Sequence, residues 1–323
     1  MADDIEAFHA AALDLLAEPS AELSLENEAF EHAQLQTRLE NFGEAKDALD
    51  IWRQLGMRDP ERVPLLPVEE VAAHIRSVAK AAAGDRATAF PTGDGVVPHS
   101  LLDALFPDGH DVTRAGEALF GSGKIGGQEV AVMGTTDHAA VGVELALALA
   151  AFVLQTIREH PGRPLLLLVD TRGQRLSRRD ELLGINGFLA HLAKSLEVAR
   201  ARGHRILSLI YAEAVSGGFL SFGLMADEVY ALPTANVRVM ALPAMARVTK
   251  QPLERLEELA RSSPVFAPGV ENYVRLGGVR SLWREDELAE RLGEWLKREI
   301  HPADPEKNFP PLAREILHRV LEA

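Results

Sequence analysis

Three small residues, Ser216-Gly217-Gly218, stand where an apolar run gives way to a helix-forming run. The apolar run extends from Ile206 to Tyr211, and the helix-forming run extends from Phe219 to Ala226. Backbone N–H groups at the start of a helix lack intrahelical acceptors and lie at the positive end of its dipole. Because glycine has no side chain, a substrate oxygen can approach such N–H groups closely. The pattern predicts an oxyanion-binding turn, and a tight strand–helix connection without a ligand is the alternative.

A second glycine-bearing turn follows Leu165–Val169, whose five consecutive apolar residues indicate a strand covered on both faces. We expect Asp170–Gln174 to leave the carboxyl end of that strand, where ligands bind in sheets with helical crossovers. If this strand neighbours the one that precedes Ser216, donors from both turns converge on one oxygen. The catalytic candidates are therefore three glycine backbones and one side-chain amide: Gly173, Gln174, Gly217 and Gly218.

Three ionisable side chains near these turns each have a catalytic and a structural interpretation. His138 follows Asp137 and is either a general acid or a cap histidine whose imidazole is already hydrogen-bonded. Glu144 lies within an apolar helix, where a carboxylate needs a partner, so a buried structural pair is favoured over catalysis. Glu213 either orients the Ser216 turn or lies exposed on the surface.

The composition excludes several classes of chemistry. The 323 residues contain no cysteine, so thiolate nucleophiles, disulfides and cysteine zinc sites are ruled out. The eleven histidines include no H-x-x-x-H pair, and we predict no metal site. The sequence also lacks a G-x-x-x-x-G-K-[ST] loop and a G-x-G-x-x-G helix start, so no nucleotide site is expected beyond a carrier arm of the coenzyme A type.

Charge is distributed unevenly along a chain whose net charge is −14. Residues 1–50 hold thirteen acidic residues against two basic ones, whereas residues 171–210 hold eight basic residues against three acidic ones. The overall acidity argues against nucleic-acid binding. The acidic N-terminus does not resemble a signal peptide, and the apolar stretch 139–157 is alanine-rich and contains Glu144, so no membrane span is expected. We therefore predict a cytoplasmic protein.

Hydrophobic periodicity divides the chain into a helical part and a part that alternates strands with helices. The first part is predicted to hold helices at 7–17, 28–42, 45–55 and 68–83, followed by a linker over 84–100. We place the boundary at residue 90, which gives an acidic helical appendage (1–90) and an α/β domain (91–323). Within that domain we predict a hairpin turn at 124–127, a helix over 139–159, a long helix capped by Ser177 and reaching residue 202, a strand over 205–211 and a helix over 218–226.

Four segments of the α/β domain, in their order along the chain, resemble the crotonase superfamily, in particular its carboxyltransferase and acyl-thioester decarboxylase branch. They are GTTDH (134–138), VDTRGQRLSRRDELLGINGFLAHLAK (169–194), AVSGGFLSFGLMADEVYALP (214–233) and RSSPVFAPGVENYVRLGGV (261–279). Over roughly residues 101–300 the sequence is similar to the gamma subunits of biotin-independent malonate decarboxylases. The resemblance implies an α/β domain with the crotonase-like β-β-α superhelical fold.

The same resemblance implies decarboxylation of malonate carried as a thioester on an acyl carrier protein with a CoA-like prosthetic arm. Acetyl thioester and CO2 would be the products, without biotin or any tightly bound cofactor. The implied partners are a beta subunit that shares the active site, the acyl carrier protein and an acyl-transferase (alpha) subunit, and homodimerisation is left open. The Ser216 turn would bind either the enolate oxygen or the departing carboxyl group, since both interpretations fit the sequence.

Four arginines beside the first turn, at positions 172, 175, 178 and 179, form a basic cluster. They could pair with a substrate carboxylate, with phosphates of the carrier arm or with an acidic carrier protein. The alternative is a solvated helix start whose surface ion pairs contribute little. The candidates for substrate or carrier binding come from this cluster and from the second turn: Arg172, Arg175, Arg178, Ser216 and Phe219.

Three further interpretations stay open. Residues 39–64 are similar to the C-terminal tail of the beta subunit of the same enzymes, so the chain could join that tail to a gamma subunit. Ser216 lies one residue short of a G-x-S-x-G motif, but a serine hydrolase would also need a later histidine, and only His301 and His318 follow it. The chain could also be a non-catalytic subunit that docks a carrier protein or a catalytic partner.

Overall fold

The computed structural model describes residues 24–43, 99–240, 242–262 and 269–298. Several predictions concern residues outside this described part of the chain. They are the helices at 7–17, 45–55 and 68–83, the domain boundary at residue 90, and the histidines His301 and His318. The predicted helix over 28–42 is present as α1 (Leu25–Phe42), with Ser24 as its N-cap accepting from the Asn27 N–H at 3.1 Å.

The strands of the described residues belong to one sheet. They are β1 (Thr113–Ala115), β2 (Ala118–Ile125), β3 (Gln128–Thr135), β4 (Ala139–Val141), β5 (Leu165–Gln174), β6 (Ile206–Val215), β7 (Glu228–Ala231), β8 (Asn236–Arg238) and β9 (Ser281–Leu282). The order is β1-β2-β3-β5-β6-β7-β9, with β4 pairing β5 and β8 pairing β6 farther along. Pairs β1–β2 and β2–β3 are antiparallel and the other pairs are parallel.

Helices connect and cover these strands. After α1 they are α2 (His99–Leu105), α3 (Val143–Glu159), α4 (Arg178–Leu183), α5 (Ile185–Ala201), α6 (Ser216–Leu220), α7 (Leu242–Thr249), α8 (Leu253–Ser262), α9 (Val270–Leu276) and α10 (Leu288–Lys297). Short 3-10 turns occupy Gly223–Met225 and Glu285–Glu287. Every crossover that links the parallel strands β3, β5 and β6 contains a helix, as parallel pairing requires.

The core has one apolar cluster on each face of the sheet. Leu165 and Leu167 of β5 belong to the cluster covered by α3 and α5, whereas Leu166 and Leu168 belong to the cluster covered by α2 and α10. All four leucines are fully buried. The prediction that this apolar run is a strand covered on both faces is confirmed, because alternate side chains of one strand point to opposite faces.

Helix α1 packs against this domain through a buried polar network. Its Glu28 accepts from the His191 Nδ1 of α5 at 2.8 Å, and the His191 Nε2 lies 3.1 Å from the His32 Nδ1. The Lys194 ammonium group lies 3.3 Å from a Glu28 oxygen and also pairs with Glu31. Glu28 and His191 are almost fully buried. The helix is therefore held by matched charges as well as by apolar contact.

Two predicted helices have different limits in the structure. The prediction of a helix from residue 139 is wrong for its first residues, because Ala139–Val141 form β4 and the helix begins at Val143. Pairing with the exposed edge of β5 outweighs the helical preference of these residues. The predicted helix to residue 202 has its Ser177 cap but breaks at Gly184, whose φ of 78° is left-handed.

The two strands beneath the glycine turns are longer than predicted. Strand β5 continues through Gln174, so residues 170–174 are a strand end with a register shift rather than a free turn. Strand β6 likewise runs to Val215, and the predicted helix over 218–226 is only the five-residue α6 followed by a 3-10 turn. The predicted hairpin is confirmed, with both Gly126 and Gly127 at positive φ between β2 and β3.

Among the described residues, no helix has the length and apolar character needed to cross a membrane.

Candidate active site at the carboxyl edge of the sheet

The two glycine-bearing segments lie side by side because β5 and β6 are parallel neighbours, with Thr171 opposite Ala214. A Cβ atom on Gly218 would lie 2.7 Å from the Gly173 carbonyl carbon and 2.9 Å from the Thr171 hydroxyl oxygen. Gly173 itself has a φ of 107°, which favours glycine. The condition set by the sequence analysis, that the two strands are neighbours, is met, and glycine is required for the contact.

The backbone N–H groups at this contact differ in whether they already have a hydrogen-bond acceptor. The Gly217 N–H donates to the Gln174 side-chain oxygen at 3.1 Å, and the Gly173 N–H donates to the Thr171 hydroxyl at 3.0 Å. The N–H of Gly218 has no acceptor among the described residues. Gly218 is buried but keeps an N–H without a described acceptor, while Gly217 and Gly173 already bind side chains.

The helix that follows the turn is too short to contribute a large dipole. Helix α6 has five residues, whereas the sequence predicted a run over 218–226. The aligned peptide dipoles of a longer helix would add to the field at its N-terminus. Electrostatic stabilisation at this turn depends on the N–H group itself.

Ser216 and Phe219 support the turn in different ways. Ser216 has a φ of 49°, an uncommon value for a residue with a side chain, and no described histidine is hydrogen-bonded to it. A nucleophile would need such a base, so the hydrolase interpretation has no geometric support among the described residues. Phe219 is 2% exposed and packs in the core, which removes it from direct contact with a ligand.

The arginine cluster divides into paired and unpaired members. Arg175 lies 3.5 Å from Glu144 and 3.7 Å from Glu117, and Arg179 pairs with Glu144 and with the buried Asp180. Arg172 and Arg178 are exposed and have no acidic partner in the described part of the chain. The free cationic groups beside the turn are therefore at positions 172 and 178.

Glu144 is paired as predicted but is not buried, since 45% of its side chain is exposed. Although burial alone raises the pKa of its carboxyl group, the hydrogen bond from Arg179 and the nearby charge of Arg175 lower it. Glu213 is half-buried and pairs with Arg238 of β8 at 2.9 Å. It therefore ties β8 to β6 instead of lying free on the surface.

His138 forms a dyad with the buried carboxylate of Asp170. Its Nδ1 lies 2.7 Å from Asp170 Oδ1, and its backbone N–H donates to Asp170 Oδ2 at 2.9 Å. The Glu213 N–H also donates to Asp170, at 3.2 Å. The imidazole is 59% exposed, whereas the carboxylate is 5% exposed.

Sequence reasoning missed Thr171 and Asp170 as organising residues of the site. The Thr171 hydroxyl donates to the Ala139 carbonyl at 2.8 Å and accepts from Gly173, so it joins β4 to the first turn. Both residues come immediately after the apolar run Leu165–Val169 within β5, and polar residues at such a position could have indicated a role. Their partners, however, lie some thirty residues earlier in the chain.

One cluster of carboxylates and a histidine has the spacing of a metal site, namely Glu28, Glu31 and His191. It lies at the α1–α5 contact and not at the carboxyl edge of the sheet. Glu28 is hydrogen-bonded to His191, and the Lys194 ammonium group pairs with both Glu28 and Glu31.

Comparison with known proteins identifies the fold of this chain and its family. The chain matches a solved Pseudomonas malonate decarboxylase MdcD–MdcE hetero-dimer at 28% identity with a TM-score of 0.57, over 69% of this chain and 96% of the other. A Pseudomonas malonate decarboxylase hetero-tetramer in complex with coenzyme A matches at 27% identity with a TM-score of 0.56, over 69% and 97%. The fold is thus the crotonase-like fold of carboxyltransferases, as predicted.

The family assignment is more specific than the fold. Residues 136–309, more than half of the chain, match the family described as malonate decarboxylase gamma subunit. The chain belongs to this family. A curated relative, the malonyl-S-ACP:biotin-protein carboxyltransferase MADD of Malonomonas rubra, is 34% identical over 188 residues, which are 52% of this chain and 64% of the relative. The chain thus spans somewhat less than two thirds of that relative's length.

Proposed function

We propose that this chain acts in a malonate decarboxylase that removes CO2 from a malonyl thioester on an acyl carrier protein and leaves an acetyl thioester. Family membership supports the reaction class. The site assignment rests on Gly218, whose N–H has no described acceptor and whose α-carbon packs closely against the Thr171–Gly173 strand end. In this proposal the acyl carrier arm is CoA-like, in keeping with the coenzyme A complex of the related hetero-tetramer.

The chemistry needs a donor for negative charge on oxygen. Cleavage of the bond between the α-carbon and the carboxylate releases CO2 and leaves the electron pair delocalised onto the thioester oxygen. We assign the Gly218 N–H to that oxygen, because preorganised donors stabilise the negative charge that develops in the transition state. Such a donor typically raises the rate by roughly a hundred-fold or more. The Gly217 N–H joins it when the Gln174 side chain turns away, and Gly173 provides the close approach of the two segments.

The site is proposed to be completed by a beta subunit. The large apolar side chains that stay exposed among the described residues all follow the carboxyl ends of strands β5, β6 and β8: Leu176, Leu220, Leu224 and Val239. Leu176 is 83% exposed. Exposed apolar groups beside unpaired arginines are typical of an interaction surface, and the matched solved structure is a hetero-dimer. The helical segment 1–90 is proposed as an appendage to this domain.

A second candidate differs in the fate of the carboxyl group. The relative from Malonomonas rubra is named as a carboxyltransferase to a biotin protein. On that alternative, the same enolate forms while the carboxyl group passes to biotin on a partner protein instead of leaving as CO2.

The test is reconstitution with malonyl-CoA as the probe. The purified chain is assayed alone, with a beta subunit, with the beta subunit plus a biotin protein, and with that last mixture plus avidin, and CO2 and acetyl-CoA are both measured. We expect turnover only with the beta subunit and no effect of avidin. Turnover that needs a biotin protein and stops with avidin would favour the second candidate. Inactivity in every mixture would refute both enzyme proposals and favour the docking subunit.

A further inference from the structure

We propose that the His138 imidazole is the acid that protonates the α-carbon after decarboxylation, and that Asp170 positions it. The inference rests on the proposed function, because it supplies the one step that the oxyanion donors cannot perform. In this step the enolate carbon takes a proton from the imidazolium Nε2, which gives acetyl thioester and neutral imidazole. Solvent then returns a proton to the imidazole.

The hydrogen bonds of the dyad fix which ring nitrogen faces outward. A carboxylate can only accept hydrogen bonds, so the His138 Nδ1 carries the hydrogen that Asp170 receives at 2.7 Å. The opposite nitrogen, Nε2, points away from the buried carboxylate, and the side chain is 59% exposed. The same arrangement, with a buried acid holding one nitrogen and the other free, orients the histidine in acid–base catalysis.

The backbone around His138 is held in an unfavourable conformation. Asp137 and His138 have φ values of 58° and 51°, and left-handed backbone costs about 1–2 kcal/mol per residue with a side chain. The conformation ends β3 and starts β4, and it aims the His138 N–H at Asp170 at 2.9 Å. Strain of this kind is concentrated at functional sites, and here it holds the imidazole on the buried acid.

The dyad is continuous with the oxyanion turn. Ala139, the next residue after His138, accepts from the Thr171 hydroxyl at 2.8 Å. That hydroxyl lies 2.9 Å from the position of a Cβ on Gly218. Asp170 is the residue before Thr171, so β4 and β5 both connect the dyad to the residues that pack against Gly218. Both stand at the carboxyl ends of parallel strands, where ligands bind.

The other charged groups around the imidazole belong to the neighbouring strands. Arg114 of β1 pairs with Asp137, and Glu213 of β6 pairs with Arg238 of β8. The Tyr211 hydroxyl donates to the Thr135 carbonyl at 2.8 Å, and burial raises the pKa of this phenol, which therefore stays protonated and neutral. His138 is the exposed acid–base group of this cluster, and no other side chain in the described part of the chain is hydrogen-bonded to its Nε2.

The experiment asks where the product proton comes from. The complex with the beta subunit converts malonyl-CoA in an equal mixture of H2O and D2O, and mass spectrometry gives the ratio of CH3 to CH2D in the acetyl product. The ratio is set in the protonation step, whichever step limits the rate. The variant is His138→Asn, because asparagine tolerates left-handed backbone and its amide can still donate to Asp170. His160→Gln, at the opposite edge of the sheet, is the matched control.

We expect His138→Asn to change the isotope ratio and to lower kcat by about a hundred-fold, the usual contribution of a general acid. Asp170→Asn should lower kcat and keep the wild-type ratio, since the imidazole remains the donor. An unchanged ratio in His138→Asn, whatever its rate, would overturn the assignment, because a structural role lowers the rate without changing the proton source. No CO2 from the wild-type complex would instead overturn the proposed function.

Discussion

The Gly217 N–H donates to the side-chain oxygen of Gln174 across 3.1 Å, so a side chain of β5 covers one of the two glycine donors. A Cβ on Gly217 would meet that same oxygen at 2.9 Å, whereas a Cβ on Gly218 would meet the backbone of Gly173 at 2.7 Å. A flexible side chain can move, but a paired strand cannot. A side chain is therefore better tolerated at Gly217 than at Gly218.

Alanine at Gly218 should damage both stability and activity. Overpacking against backbone costs about 1–3 kcal/mol, and the substitution forces β5 and α6 apart at the donor. We expect thermal melting of Gly218→Ala to stay cooperative at a lower Tm, and decarboxylation to be abolished. Gly217→Ala is the matched control, and it should melt within a few degrees of wild type because only Gln174 must move. Equal melting temperatures for the two variants would contradict this account.

Removal of the Thr171 hydroxyl should destabilise the strand ends. Thr171→Val keeps the shape but leaves the Ala139 carbonyl and the Gly173 N–H without their partner, at 2.8 and 3.0 Å. Buried groups left unpaired cost about 1–3 kcal/mol. The control is Thr156→Val, a buried threonine whose hydroxyl only donates to the Phe152 carbonyl within its own helix. Urea unfolding should show a larger loss for position 171, and similar losses would refute the claim.

The sequence predicted which segments meet at the site because the determinants are local. Five consecutive apolar residues, Leu165–Val169, indicate a strand buried on both faces, and the Ser177 cap accepts from the Asp180 N–H as expected. The adjacency of β5 and β6 follows from their being consecutive strands joined by a helical crossover.

Other features could not be read from the sequence because they depend on contacts between distant residues. The strand β4 forms only because β5 extends past the end of β3, and nothing within Ala139–Val141 indicates this. The Asp170–His138 pair spans 32 residues. The engagement of Gly217 by Gln174 depends on a side-chain rotamer. Such details require the pairing register, which periodicity does not provide.

The α1 contact should be sensitive to acid through His32. Burial, and the proximity of His191 and Arg158, lower the pKa of His32 from 6.5 to about 4. Above pH 6.5 the group is neutral in both states and contributes no pH dependence. Between pH 6.5 and 4 the unfolded chain binds a proton that the folded chain excludes, so stability falls as pH falls, by on the order of 3 kcal/mol.

The variant His32→Gln removes that proton site. Its free energy of unfolding should therefore decline less steeply than that of wild type between pH 6.5 and 4, measured by denaturant titration at each pH. Glu28 adds loss in the same direction, since burial alone would raise its pKa but the His191 hydrogen bond and the Lys194 charge lower it. Parallel curves for wild type and variant would show that His32 is already free to titrate in the folded protein.

Charge reversal at Arg178 should weaken carrier binding without disturbing the fold. Arg178 is exposed, has no described acidic partner, and is the first residue of α4, where a glutamate is favoured by the helix dipole. Exposed charge pairs contribute up to about 1 kcal/mol, so reversing the sign should raise the Kd of an acidic acyl carrier protein by about tenfold at low salt. The difference should vanish near 1 M salt, where the Debye length is about 3 Å.

The control is Lys124→Glu, the same charge change on an exposed residue at the opposite edge of the sheet. Equal Kd values for the two variants at low salt would return Arg178 to the class of solvated surface residues.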